Sequence, residues 1–272
     1  MACLVCIFIF LFGLCMGSFL NVLIYRLPRE IDFLKGRSFC PECKKKLAWW
    51  ELVPLFSYIF LRGKCRKCRV KISLKYPIVE FLTGTLFLLF FLKITTNGLW
   101  PTIYELEFIV YGWIILSVLI TIFFIDLRHY IIPDSLMIIG ALATLIYLGL
   151  ACFGGGQIAP TMQLSKNILP YFYFTMHNSL FINNIIFAIM GGVFFGLIIL
   201  LTRGRGMGIG DMKFGILMGL ILGGKLIAAL YLAFVGGAVV GMGLILLKNK
   251  TLKSKVPFGP FLVVATLILM FL

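Results

Sequence analysis

The chain has 272 residues, 61% of them hydrophobic and 13% charged, with 25 Lys and Arg against 10 Asp and Glu. Soluble globular domains run at roughly 45–50% apolar and about 25% charged residues. A soluble enzyme, a disordered chain and a secreted disulfide scaffold are therefore excluded, and the composition describes an all-α polytopic membrane protein.

Residues 2–25 form the first apolar run, with no basic residue before them and Arg26 and Arg29 directly after. A cleavable signal peptide has the reverse polarity and a shorter apolar core. The run is therefore expected to be a retained span with its N-terminus outside. Further apolar stretches near 77–92, 108–125, 135–153, 181–201, 212–223, 226–247 and 256–272 bring the expected transmembrane helices to eight. Joining 212–223 to 226–247 would give seven. Basic residues decide between the two, because short cytoplasmic loops collect Lys and Arg. Eight spans leave only Lys93, Lys166 and Lys225 outside, whereas seven would also expel Lys248, Lys250, Lys253 and Lys255. The net charge of +15 is thus assigned to the inner face, beside anionic lipid, rather than to nucleic acid. The outer loop 154–180 reads as polar and irregular. Only 26–76 is long enough to fold outside the membrane, which divides the chain into a first helix (1–25), a small cytosolic segment (26–76) and a membrane domain (77–272).

Eight cysteines fall into two groups. Cys3, Cys6, Cys15 and Cys152 sit in apolar spans, where a free thiol is a small hydrophobe. The others form Cys40-Pro41-Glu42-Cys43 and Cys65-Arg66-Lys67-Cys68, two CxxC pairs with 21 residues between them. Two such turns can bring four thiolates to a tetrahedral zinc ion. The expected cytosolic location disfavours disulfides. A closed four-cysteine site has no open position for substrate, so zinc is expected to be structural.

Three acidic residues lie where an apolar span meets the expected inner face. Asp126 ends the run Ile120–Ile125, Asp134 follows Pro133 where the next helix begins, and Asp211 closes Gly206-Met207-Gly208-Ile209-Gly210-Asp211. A carboxylate at the hydrocarbon edge is costly and normally faces protein or water. Each also has a plain structural role open to it: Asp134 and Asp211 as helix caps, Asp126 in a pair with Arg128. Two carboxyls about 3 Å apart share one proton. The ionised one can then take a proton from water as it attacks a peptide carbonyl, while the protonated one polarises that carbonyl and helps the amine leave. Gly208 and Gly210 would let the backbone of this active-site loop approach a neighbouring helix closely.

These residues resemble the type IV prepilin peptidase family. The likeness begins at Gly17-Ser18-Phe19-Leu20-Asn21-Val22-Leu23-Ile24-Tyr25-Arg26-Leu27-Pro28. It continues through both CxxC pairs and the enclosed Trp49-Trp50-Glu51-Leu52-Val53-Pro54, then Tyr76-Pro77, Glu80-Phe81-Leu82-Thr83, Asp126 to Asp134, and Gly208-Ile209-Gly210-Asp211. The resemblance implies a GxGD-type aspartic protease with Asp126 and Asp211 as the catalytic pair and Asp134 in the surrounding pattern. It implies removal of the basic leader from prepilin or pseudopilin substrates of pilus, secretion or uptake systems at the cytoplasmic face of the inner membrane. It further implies N-methylation of the new N-terminus with S-adenosylmethionine, an activity linked to the four-cysteine segment. No glycine-rich nucleotide fingerprint accompanies it. A transporter using Asp126 and Asp211 as ion ligands, and a presenilin-like protease cutting within the membrane, are the competing readings. The first needs more polar residues than Ser18, Asn21, Thr83 and Ser117, and the second has no use for the four cysteines.

Overall fold

The computed structural model describes residues 2–32, 36, 38–95, 101–153, 170–204, 207–246 and 257–272. Regular structure among them is helical, with two isolated β-bridges and no strand. The chain divides into two compact units, Met1–Trp100 and Pro101–Leu272. It is a multi-pass membrane protein: six stretches of the described residues are long and apolar enough to cross a bilayer, and Gly259–Phe271 is a shorter apolar helix.

In the first unit, α1 (Ala2–Arg26) packs along α3 (Lys75–Ile94), and the segment between them carries the short helix α2 (Phe56–Phe60). Lipid offers no hydrophobic drive for two apolar helices to associate, so close backbone approach and interhelical hydrogen bonds must supply it. Glycines provide the approach: a Cβ on Gly13 would stand 2.7 Å from the Gly84 Cα, and one on Gly17 2.6 Å from the Glu80 Cα. Asn21 in α1 donates to the Tyr76 carbonyl in α3 at 3.1 Å. A second tie runs through Glu80. The Leu55 N–H donates to its carboxylate at 2.9 Å, and the Ser18 hydroxyl hydrogen-bonds it from α1. The four-cysteine segment is thereby fastened to the helix pair.

The second unit contains α4 (Ile103–His129), α5 (Asp134–Phe153), α6 (Pro170–Leu201), α7 (Ile209–Leu222), α8 (Leu226–Leu246) and α9 (Gly259–Phe271). The sequence places the span at 181–201, but α6 already begins at Pro170, inside the stretch that reads as an irregular loop. Residues 154–169, which include Lys166, lie outside the described residues, as do Gly206 and the basic run 247–256.

The longest apolar stretch, Ile209–Leu244, is broken into α7 and α8. Gly223 makes the break with φ of 53° and ψ of −129°, a conformation that side chains disfavour. A Cβ there would also collide with the Asn184 amide oxygen. Asn184 Nδ2 donates to the Leu220 carbonyl at 3.0 Å, satisfying one acceptor left open in the last turn of α7. Along α6 and α7, Gly191 and Gly215 face each other so closely that a methyl on Gly191 would overlap the Gly215 carbonyl. Helix α9 packs against both α4 and α7 and so bridges the two helices that carry the candidate aspartates.

Candidate active site and metal centre

The two CxxC turns are near copies of each other. In the first, Cys40 N–H donates to the Lys45 carbonyl and Lys44 N–H to the Cys40 carbonyl, both at 2.9 Å. In the second, Cys65 N–H donates to the Val70 carbonyl and Arg69 N–H to the Cys65 carbonyl, again at 2.9 Å. Each turn is closed by one bridge, Phe39 to Lys46 and Lys64 to Lys71. Each also reverses through a left-handed residue directly after its second cysteine, Lys44 and Arg69, both at φ 55°.

The four Sγ atoms lie within 4.8 Å of one another. Cys40 and Cys68 are 3.9 Å apart, and Cys43 and Cys65 4.0 Å apart. An ion about 2.3 Å from each of four sulfurs sets them about 3.8 Å from one another, so these thiols fit a tetrahedral zinc site. A disulfide needs about 2.0 Å, and the seven cysteines whose side chains are described are free. Backbone N–H groups of Cys68 and Lys67 aimed at the Cys65 sulfur draw its thiol down to about 6, toward the thiolate a metal binds.

Glu51 supports this segment. Its carboxylate accepts the Ala48 N–H at 2.8 Å and the Lys45 ammonium at 3.1 Å, which hold it below the usual carboxylate range. Arg66 lies 4.8 Å over the Trp50 ring, a cation–π contact from the second turn to the residues between the pairs.

In the second unit, Asp126 sits in the last turn of α4 and is 5% exposed. The helix ends three residues later, where Tyr130 takes a left-handed conformation and its N–H returns to the Asp126 carbonyl at 3.0 Å. Asp211 occupies the first turn of α7, where its Oδ2 accepts the Gly208 N–H at 3.1 Å. That bond is the carboxylate half of a capping box and fixes the rotamer of Asp211. Gly210 packs against Ile132, 3.3 Å from the position of a would-be Cβ, so the GxGD turn lies on the connection between α4 and α5. Asp211 and Asp126 interact electrostatically, with α9 alongside both of their helices.

Asp134 stands apart from that pair in its bonding. It opens α5, where a negative charge suits the helix N-terminus. Its Oδ1 accepts from Lys213 Nζ in α7 at 2.6 Å. Below that pair, Met137, Ile138, Ala141, Ile216, Leu217 and Leu220 line a groove of 310 Å³ between α5 and α7.

One residue of this site leaves no obvious trace in the sequence. The Gly259 N–H, at the start of α9, is a hydrogen-bond donor to the Asp126 carboxylate. A glycine between Phe258 and Pro260 at the head of an apolar helix was the only signal. The arrangement therefore has two carboxyls at helix ends, each held by one glycine amide, in a unit otherwise built from apolar helices.

The Bacterial Peptidase A24 N-terminal domain matches residues 11–94. A prepilin leader peptidase/N-methyltransferase of Aeromonas salmonicida (strain A449) is 31% identical, over 94% of this chain and 87% of its own length. The protein of the same name from Legionella pneumophila is 29% identical, over 96% of this chain and 89% of its own length. That of Myxococcus xanthus (strain DK1622) is 47% identical over a shorter stretch, 50% of this chain and 38% of the relative. No solved structure matches the chain. With likeness extending from the first helix through the cysteine turns and both aspartate-bearing helices, the chain belongs to the prepilin leader peptidase/N-methyltransferase family.

Proposed function

We propose that this chain is an aspartic endopeptidase of the inner membrane that removes the basic leader from prepilin-like or pseudopilin proteins and then N-methylates the new N-terminal residue. The observation that carries the reading is the placement of Asp126 and Asp211 at the ends of two helices that both pack on α9, in a chain that matches relatives named prepilin leader peptidase/N-methyltransferase over nearly its whole length. One of the two carboxyls, ionised, takes a proton from water as the water oxygen bonds to the scissile carbonyl carbon. The other, protonated, donates to the carbonyl oxygen; the C–N bond then breaks and the leaving amine takes up a proton. N–H donors from Gly208 and Gly259 hold the two carboxylates.

Membrane topology supplies the substrate geometry. With α7, α8 and α9 taken as separate crossings, the N-terminus lies outside and the cysteine segment and both aspartates lie on the cytosolic side, beside anionic lipid. A prepilin whose basic leader stays in the cytosol presents its cleavage site at that level. The apolar groove between α5 and α7 offers its following helix a surface that starts two residues from Asp211. Nucleic acid has no place in this reading.

Zinc on Cys40, Cys43, Cys65 and Cys68 holds the cytosolic segment together. S-adenosylmethionine supplies the methyl group, and no residue of this chain is assigned to it. A conduction pathway fits less well. The polar residues it would need are engaged elsewhere: Ser18 with Glu80, Asn21 with Tyr76, Thr83 with Val79 and Ser117 with Trp113.

Incubation of the purified protein with a synthetic prepilin, with and without S-adenosylmethionine, followed by mass spectrometry, tests both activities together. Loss of the leader mass and gain of one methyl group are expected. An uncut substrate would end the peptidase reading.

A further inference from the structure

We propose that Gly259 is a positioning residue for Asp126: its amide anchors the carboxylate, and its missing side chain leaves the space in which that carboxylate stands. The inference rests on the reading that Asp126 carries out hydrolysis.

Three observations meet at this position. First, Gly259 is the opening residue of α9, so its N–H has no partner within the helix. Among its neighbours, the Phe261 and Leu262 amides turn back to the Phe258 carbonyl, and Pro260 has no N–H. The Gly259 amide is thus left to reach across to α4, where it donates to Asp126. The positive end of a 13-residue helix dipole points the same way.

Second, there is no room for a larger residue. A Cβ on Gly259 would stand 2.5 Å from Asp126 Oδ2 and 3.0 Å from its Cγ. The helix cannot easily retreat, because Leu262, Val263, Ala265 and Thr266 are buried behind this turn. The Asp126 carboxyl would have to swing away instead. Third, the backbone makes no separate demand for glycine. Gly36, Gly63, Gly204 and Gly223 have positive φ, and Gly259 does not. Space beside a carboxylate is the requirement.

The test compares Gly259→Ala with wild type and with Gly241→Ala, a helix position where a Cβ meets nothing within 4 Å. The full chain is assayed in detergent for kcat and KM on a synthetic prepilin, for methylation of an already cleaved pilin peptide, and for thermal unfolding. A misplaced reacting group costs about 100-fold, so kcat of Gly259→Ala should fall about that far. Its KM, methylation and Tm should stay those of wild type, and Gly241→Ala should match wild type throughout.

Wild-type kcat in Gly259→Ala would overturn the inference. So would loss of both activities together with a lowered Tm, which would make Gly259 a packing residue of α9. Failure of wild type itself to cut prepilin would remove the underlying reading and this inference with it, and is told apart by the control.

Discussion

Lys213 Nζ lies 2.6 Å from Asp134 Oδ1, joining the second turn of α7 to the first residue of α5, two residues past the end of the GxGD turn. Both side chains are largely in the open, 41% and 65% exposed. An exposed pair of this kind is worth about 0–1 kcal/mol. Asp134→Asn keeps an acceptor at the helix start and should retain leader cleavage to within roughly fivefold. Mass spectrometry of the prepilin digest measures it. Complete loss would move Asp134 into the catalytic pair and displace one of the other two aspartates.

Asp126 and Asp211 should behave in the opposite way. A dyad shares one proton, and an amide in place of either carboxyl removes the base or the acid outright. Asp126→Asn and Asp211→Asn are each expected to lower cleavage by about 10³-fold or more. Methylation of a pre-cleaved pilin peptide should survive in both, which shows that the protein is folded and membrane-inserted. Full-rate cleavage by either variant would exclude that residue from the pair.

The cysteine turns make a separate, metal-based prediction. Wild-type protein should contain about one zinc per chain. Cys40→Ser removes a buried thiol of the cluster and should abolish that content, measured by elemental analysis. It should also expose the segment 38–74 to proteolysis, since a small metal-bound fold has few other contacts to hold it. Methylation should fail with it. Unchanged zinc content in Cys40→Ser would mean that the four thiols do not form the site.

The helices able to cross a membrane are legible because apolar runs are additive along the chain. The division between α7 and α8 follows from the short 212–223 run and from Lys248, Lys250, Lys253 and Lys255, which a fused helix would expel. Cysteine spacing likewise announces the cluster of four thiols, which could hold a metal ion. Other features depend on what a residue lacks or on backbone groups common to every residue. Glu80 is held by the Leu55 amide, presented by a residue at φ 58°, and by the Ser18 hydroxyl, contacts that no local pattern marks. Gly259 matters through an absent Cβ next to an aspartate on a distant helix, which no local pattern encodes. The early start of α6 at Pro170 is hidden in the sequence because Thr175, His177, Asn178 and Ser179 interrupt the apolar run there.

Glu51 gives a prediction with a pH signature. The Ala48 N–H and then the Lys45 ammonium favour its ionised form, so its carboxyl titrates lower in the folded segment than its ordinary value of 4.5. A carboxyl lowered by folding stabilises the fold in full above that ordinary value. The stabilisation is lost as pH falls below it and through the lowered value. Glu51→Gln keeps the shape and an acceptor for Ala48 but gives Lys45 no charge. At neutral pH the variant should be weaker by about 1–3 kcal/mol, the scale of a buried hydrogen bond to a charged group. Hydrogen exchange at the 48–52 amides reads this directly. The gap between the two proteins should close as pH drops below 4.5, because the protonated wild-type carboxyl then resembles the amide. Acid also protonates the cysteine thiolates, but equally in both proteins, so the comparison at each pH isolates Glu51. A gap that persists undiminished in acid would assign the effect of Glu51 to packing rather than to its charge.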